Sequence, residues 1–203
     1  MPRDDAVFTD PHFDLKHGIL KNIPGFTEQE RLDKFERIQA TKALLNLQSN
    51  PVRGQFDAAH LRQIHACIFK DVYPWAGEFR QVNINRPASF PFALIQFLEK
   101  NLNRTLGELA AEHRLRGLDA HTFSNRAAYF LGELNSIHPF RDGNGRTQRE
   151  FIRELAAEAG YRINWNRVTR EQMYNASIES QNLGKNAAFA AVIYYAIEGS
   201  VSV

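Results

Sequence analysis

Helical periodicity runs through most of this 203-residue sequence and constrains its fold more than any other feature. Apolar residues recur every three or four positions in successive segments, which are separated by Pro, Gly or capping residues. The clearest segment spans about 119–137, where a wide apolar face is typical of a core helix. That face consists of Phe123, Ala127, Phe130, Leu131 and Leu134. The sequence therefore predicts a compact all-α fold.

The remaining helices are indicated by their apolar spacing and their start and stop residues. They are expected from about Thr27 to Leu47, from Asp57 to Val72, from about Pro91 to Gly117, from Arg146 to Glu158, after Thr169, and from Ala187 to Ile197. Thr27–Glu30 and Thr169–Gln172 have the capping-box pattern, in which a side chain at each end binds a backbone donor. Residues 1–26 are rich in Asp, Pro, Gly and His and predict an irregular arm.

One segment, residues 79–92, has extended instead of helical character. Val82 and Ile84 alternate with polar residues that include Asn83, and prolines follow at positions 87 and 91. Alternation with a period of two is typical of a strand. The segment therefore predicts a small β-hairpin, which would form a flap on the helical domain.

Length and composition limit the classes of protein. The chain fits one domain, residues 1–203, and no segment is long and apolar enough to span a bilayer, so a soluble cytoplasmic protein is expected. A net charge of +2 from 25 basic and 23 acidic residues gives no support for direct nucleic-acid binding. Cys67 is the only cysteine, which excludes a disulfide within the chain and a cysteine-based metal site. Its apolar helical surroundings predict a buried structural thiol.

Residues 138–149 combine the residue types that bind a phosphate chain. They read His-Pro-Phe-Arg-Asp-Gly-Asn-Gly-Arg-Thr-Gln-Arg and join two predicted helices. Gly143, Asn144 and Gly145 stand where the chain turns into a helix, whose free N–H groups attract anions. Arg146 and Arg149 lie on the first turns of that helix and point to a similar side. They can therefore direct planar donors at phosphate oxygens.

The same run also offers a base and a metal ligand. Mg²⁺ is commonly held by one or two carboxylates together with phosphates and water, and Asp142 could supply such a carboxylate. His138 is the residue of the run that can remove a proton near neutral pH. Together these groups suit the transfer of a phosphorus-centred group to a hydroxyl. The alternative, an ordinary turn followed by surface arginines, is acceptable for any one residue but improbable for the whole set.

The run resembles the signature of the Fic family, His-x-Phe-x-Asp/Glu-Gly-Asn-Gly-Arg-x-x-Arg, and matches it at every defined position. The resemblance extends to Ile64–Gly77, which is similar to the segment before the family's flap, and to Gly132–Asn135 at the end of its central helix. With the order of helices, it covers nearly the whole chain. It implies a Fic-type helical domain with a β-hairpin flap.

The resemblance also implies an activity: the transfer of AMP from ATP to a Tyr, Ser or Thr hydroxyl of a target protein, with release of pyrophosphate. His138 would deprotonate the hydroxyl, and Asp142 would bind Mg²⁺. Gly143, Asn144 and Gly145 would form the anion nest. Arg146 would hold the β-phosphate and Arg149 the γ-phosphate. The flap, with Val82, Asn83 and Ile84, would pair with the target's backbone, and Phe140 would anchor the loop.

Two further positions refine what the resemblance implies. Kinase-like relatives, the Doc group, carry a lysine in place of the second glycine, so Gly145 favours AMP transfer. Many members contain an inhibitory Ser/Thr-x-x-x-Glu-Gly/Asn helix. The only comparable Glu here, Glu198, is followed by Gly199 but preceded at the Ser/Thr position by Tyr194. The chain therefore resembles the toxin subgroup that is inhibited by a separate small antitoxin, with Arg149 as its contact.

Several alternatives stay open on the sequence. The protein could be a kinase-like or other nucleotidyl or phosphoryl transferase, or a non-catalytic ATP-binding module held by an antitoxin. The target could be a topoisomerase ATPase subunit or a small GTPase, and an effector would be delivered into another cell. Phe90 and Phe92 fit a target clamp and a core anchor equally well. Ser177 and Gln181 are candidates for approaching adenine, whereas His65 and Trp75 are interpreted as packing residues.

Overall fold

The computed structural model describes residues 10–86 and 89–200. Within those ranges the chain is mostly helical, which confirms the predicted all-α class. The helices are α1 (Gln29–Ser49), α2 (Ala58–Phe69), α3 (Ile95–Ala111), α4 (Ala120–Ile137), α5 (Asn144–Glu158), α6 (Arg170–Leu183) and α7 (Ala187–Ala196). No helix of the described ranges is long and apolar enough to cross a membrane.

Two short antiparallel sheets accompany the helices. β1 (Phe13–Asp14) pairs with β2 (Ile19–Leu20), so the part of the predicted irregular arm that is described contains a small hairpin; residues 1–9 lie outside the description. β3 (Tyr161–Ile163) pairs with β4 (Ile197–Ser200), with a register shift after Arg162. This second sheet joins the end of α5 to the end of α7.

Helix α4 lies at the centre of the molecule and packs against α3, α5, α6 and α7. All five residues of its predicted apolar face are buried. Burying apolar side chains at about 25 cal/mol per Å² is the main stabilising contribution to such a domain. The central position of α4 fixes its C-terminal end, and therefore the loop that follows, against the rest of the core.

The helix starts show how far local sequence signals decide structure. Asp57 accepts a hydrogen bond from the His60 amide, and the Thr169–Gln172 capping box is formed, both as predicted. The predicted box at Thr27–Glu30 is wrong: α1 begins at Gln29 without a side-chain cap. The preceding chain is instead held by Asn22, whose amide group binds both the N–H and the C=O of Phe26.

Two other predictions differ from the structure. Residues 79–86 and 89–92 contain no strand, while positions 87 and 88 lie outside the description. A two-stranded hairpin without a third strand is marginally stable, and several backbone groups of this segment bind side chains instead. Cys67 was predicted to be buried but is exposed on α2, because it falls on the solvent side of the helix.

Candidate active site

The segment 138–149 forms a tight loop between the end of α4 and the start of α5. His138 ends α4 in the left-handed conformation, with φ 50° and ψ 62°. Gly143 precedes α5 with φ 79°, and a Cβ there would lie 2.3 Å from the Phe69 ring. Glycine is therefore required at this position by both backbone conformation and space.

Asn144 closes the loop from inside. Its side chain is buried, accepts a hydrogen bond from the Phe140 amide at 2.9 Å and donates one to the Phe140 carbonyl at 2.7 Å. The side chain of Asn144 is thus occupied within the loop. Of the predicted anion nest, this residue can contribute only its backbone N–H, at the first position of α5.

Beneath the loop, His65 makes contacts that the sequence did not reveal. Its Nδ1 accepts a hydrogen bond from the Gly77 amide at 2.8 Å, so Nε2 carries the proton and donates to the Asp142 carbonyl at 3.1 Å. Its ring stacks on Phe140 with centroids 3.9 Å apart. Burial lowers the pKa of His65 to about 3, which keeps it neutral. Phe140, 1% exposed, is the core anchor that was expected.

His138 is arranged as a neutral imidazole with one free nitrogen. Its Nδ1 donates to the Asn135 carbonyl at 3.1 Å, which leaves the lone pair of Nε2 available. Burial, and then the charges of Arg86 and Arg80, lower the pKa of His138 to about 3 despite the opposing hydrogen bond. Its ring stacks on Phe92 at a centroid distance of 3.7 Å. Phe92 therefore packs in the core beside the histidine, whereas Phe90 is 63% exposed.

Asp142 faces an open cleft of about 670 Å³ that also includes His138 and Glu36. Its side chain keeps 49% exposure, although the walls of the cleft limit its hydration. Desolvation, and then the neighbouring carboxylate of Glu36, raise the pKa of Asp142. A carboxylate whose negative charge is disfavoured by its surroundings gains from a bound cation. The residues at this position therefore fit a divalent metal ion that also contacts phosphate.

Arg146 is fixed by residues far away in the sequence. Its guanidinium lies 2.6 Å from a carboxylate oxygen of Glu36 on α1 and 4.7 Å from the centroid of the Phe69 ring. The hydroxyl of the buried Tyr73 donates to the other oxygen of Glu36. Sequence reasoning missed Glu36 and Tyr73, because nothing in the local pattern of either residue indicates proximity to the loop.

Arg149 lines two neighbouring cavities, and it forms no ion pair with any residue of the described ranges. Burial, and then the charge of Arg146, lower its pKa. It lines the 670 Å³ cleft and a second cavity of about 530 Å³ between α4, α5 and α6. Ser177 and Gly145 also line that second cavity, but Gln181 does not. Gln181 instead donates to the carbonyls of Phe90 and Pro91.

The candidate flap residues are partly engaged within the chain. The Val82 carbonyl accepts a hydrogen bond from Arg80 at 2.8 Å, and the Asn83 side chain accepts one from the Ile95 amide at 2.9 Å. Ile84 lines the cleft near His138. The structure thus places residues 84–86 of this segment at the cleft.

Glu198 occupies the strand β4 and not a helix. Its carboxylate accepts a hydrogen bond from the Asn164 side chain at 2.7 Å. It lines a groove of about 640 Å³ that also contains Arg149, but no ion pair joins the two side chains in the described part of the chain.

Sequence comparison identifies relatives of this chain. A profile described as the Fic/DOC family matches residues 55–166. Protein adenylyltransferase VbhT of Bartonella schoenbuchensis is 47% identical over 171 residues, covering 84% of this chain and 36% of that protein. The protein y4lH of Sinorhizobium fredii is 36% identical over 180 residues, covering 86% and 89%. The chain thus spans about a third of the length of VbhT but most of y4lH.

Solved structures show the same architecture. The Fic domain of a VirB-translocated effector from Bartonella quintana, with bound ADP, superposes with a TM-score of 0.88 at 29% identity over 93% of this chain and 95% of that one. BepC of Bartonella tribocorum, with bound AMPPNP, gives 0.86 at 27% identity over 93% and 97%. The chain therefore belongs to the Fic/DOC family.

Proposed function

We propose that this chain is a protein adenylyltransferase, which transfers AMP from ATP to a hydroxyl side chain of another protein. The observation that carries the proposal is the state of His138. The imidazole is neutral, its Nδ1 is fixed by a backbone carbonyl, and its Nε2 is free. The ring lines the same cleft as the start of α5. A base beside an anion-binding helix start is what hydroxyl attack on a phosphate requires. VbhT, 47% identical, carries the same activity in its name.

In this reaction His138 Nε2 accepts the proton of the target hydroxyl as its oxygen attacks the α-phosphorus of ATP. The new bond joins the target oxygen to that phosphorus, and the bond from phosphorus to the oxygen bridging the β-phosphate breaks. The leaving group is pyrophosphate. Because phosphoryl-type transfer depends mainly on positioning and electrostatics, the rigid loop is the main contribution of the protein.

The phosphates are assigned to the loop residues in sequence order. The amides of Gly143, Asn144 and Gly145 form the anion nest at the positive end of α5. Arg146 takes the β-phosphate and shares its guanidinium with Glu36. Arg149, which has no carboxylate partner in the described ranges, takes the γ-phosphate. The 530 Å³ cavity that Ser177 lines is the place for the nucleoside.

Mg²⁺ is the implied cofactor, and Asp142 is the residue that would hold it. When bound with ATP, the ion neutralises phosphate charge and favours departure of pyrophosphate. Asp142 itself is held in place because its backbone carbonyl accepts a hydrogen bond from Nε2 of His65. The position of its carboxylate therefore depends on the buried residues beneath the loop.

The flap is proposed to pair with the target's backbone and so to align the target hydroxyl with the site. Ile84 lines the cleft and Val82 and Asn83 directly precede it in the chain, so an extended target segment could bind this stretch by main-chain hydrogen bonds. Such binding specifies the shape of the target more than its sequence. The target could be a topoisomerase ATPase subunit or a small GTPase, and the second would accord with delivery into another cell. The related B. quintana protein is described as a VirB-translocated effector.

A separate antitoxin is proposed as the inhibitor. The groove of about 640 Å³ is lined by α1, α5 and the β3–β4 end, and it exposes Arg149 to a partner from outside. A glutamate of that partner would pair with Arg149 and exclude the γ-phosphate. Arg149→Ala is expected to weaken both ATP use and antitoxin binding. Unchanged antitoxin affinity in calorimetry would remove the proposed contact.

Labelled ATP distinguishes AMP transfer from its alternatives. The protein is incubated with Mg²⁺, host-cell lysate and ATP labelled at either the α- or the γ-phosphate. We expect a lysate protein to acquire the α-label and not the γ-label. The γ-label alone would instead identify a kinase-like enzyme, and ATP binding without any labelling would identify a non-catalytic module. Mass spectrometry of the labelled protein then identifies the target.

A further inference from the structure

Arg80 lies beneath the catalytic loop as a buried side chain, only 3% exposed, whose partners are all backbone carbonyls. Nε donates to the carbonyl of His138 at 2.8 Å, and Nη1 donates to that of Val82 at 2.8 Å. Nη2 donates to the carbonyls of Ile137, at 3.2 Å, and Ala93. One guanidinium therefore joins the end of α4 to Val82 in the flap segment and to Ala93 directly after it.

The backbone around Arg80 reinforces this connection. The amide of Arg80 donates to the Pro139 carbonyl at 2.9 Å, and the amide of Ala93 donates to the Ser136 carbonyl at 2.9 Å. The start of the flap segment is thus fixed to the α4–α5 connection, and the residue directly after the segment is fixed to the last turn of α4. Without Arg80, four carbonyls that are buried or partly buried would lose a donor at once, and leaving such groups unsatisfied is costly.

The positive charge of Arg80 faces backbone carbonyls instead of a carboxylate. No carboxylate of the described ranges lies within ion-pair distance of its guanidinium. Two of its acceptors are the last carbonyls of α4, which carry the negative end of the helix dipole. Burial lowers the pKa of Arg80 to about 10, so the side chain remains charged at neutral pH. Its positive charge also disfavours protonation of the neighbouring His138.

We propose that Arg80 is a positioning residue, which fixes the target-binding flap and the catalytic base relative to each other. His138 adopts a left-handed backbone conformation that is unfavourable for a residue with a side chain. Arg80 holds the carbonyl of that residue and, with the same group, the carbonyls of Val82 and Ala93. A target strand on the flap is thereby kept in register with Nε2 of His138. This inference rests on the proposed AMP transfer.

Arg80→Lys tests the proposal, because lysine retains the charge but cannot reach four carbonyls. The matched control is Arg126→Lys, which removes a forked arginine pair with Glu112 away from the site. We expect labelling of the lysate protein from α-labelled ATP to slow by about 10- to 100-fold in Arg80→Lys, as for misplaced catalytic groups. Affinity for Mg²⁺ and ATP in calorimetry should stay within about twofold of the unsubstituted protein, since Arg80 does not line the nucleotide cavity.

A second measurement does not depend on activity. Nitrogen NMR of the His138 ring should show a single Nδ1–H tautomer in the unsubstituted protein, and a mixture or a raised pKa in Arg80→Lys. Amide exchange of residues 81–86 should be faster in the variant. Unchanged labelling with unchanged NMR and exchange overturns the positioning role. Absence of label in the unsubstituted protein, with the NMR difference present, rejects AMP transfer but not the coupling of flap and histidine.

Discussion

Two histidines at the site, the buried His65 and the half-buried His138, are each held neutral by their surroundings. His65 and His138 both donate a ring proton to a backbone carbonyl, and burial lowers the pKa of each to about 3 from an ordinary value of 6.5. His65 supports the loop from below, while His138 keeps one nitrogen free at the cleft. The same physical state therefore supports the loop at His65, and at His138 it suits the proposed proton transfer.

This state predicts that stability falls in acid. Between pH 6.5 and 3 the unfolded chain binds protons on both residues that the folded chain does not, so the free energy of unfolding decreases as pH decreases. At pH 5.5 the loss for each histidine is on the order of 1 kcal/mol relative to pH above 7. Urea unfolding at pH 7.5 and 5.5 measures it. Equal midpoints at the two pH values would contradict the assignment of buried neutral imidazoles.

The two glycines of the loop differ in what they tolerate. At Gly143 an added Cβ would meet the Phe69 ring at 2.3 Å with φ at 79°, whereas at Gly145 it would meet only Arg149 at 3.4 Å. Gly143→Ala is expected to lower the free energy of unfolding by about 2–3 kcal/mol, through strain and overpacking. Gly145→Ala is the control and should change stability by less than about 1 kcal/mol. Similar losses in urea unfolding of both variants would exclude this explanation.

At the scale of elements, the helix starts show where the sequence-based predictions agree with the structure and where they do not. The Thr169–Gln172 and Thr27–Glu30 patterns are alike, yet only the first forms a capping box. Local chemistry suffices at α6, but at α1 the contacts of Asn22 with Phe26 fix the incoming chain. The central helix α4 was predictable because its apolar face is long and regular. The flap was not, because its backbone groups bind side chains that are distant in sequence.

The capping difference can be measured directly. Thr169→Ala removes the side-chain oxygen that accepts the Gln172 amide and should lower the free energy of unfolding by about 0.5–2 kcal/mol. Thr27→Ala is the matched control, because Thr27 is exposed and α1 has no side-chain cap. Its unfolding midpoint in urea should be unchanged. An equal loss in both variants would show that α1 is capped in solution.

For the molecule as a whole, the site combines residues from α1, the chain after α2, the flap segment and the loop between α4 and α5. Residues 138–149 could be predicted as a loop that joins two helices, and their phosphate chemistry stays a prediction from contiguous residue types. Glu36, Tyr73 and Arg80 could not, because α1, the chain after α2 and the flap segment come close to the loop only in the folded molecule. The sequence therefore indicates the reacting groups, and the tertiary structure adds the residues that hold them.

The proposed role of His138 as the base is tested by the His138→Ala variant in the α-label assay, together with calorimetry of Mg²⁺ and ATP. His138 is assigned as the base and not as a phosphate ligand, so the two measurements should separate. We predict that the variant binds ATP with an affinity within about threefold of the unsubstituted protein and transfers no label. Transfer of the α-label at an undiminished rate by His138→Ala would show that this histidine does not deprotonate the target hydroxyl.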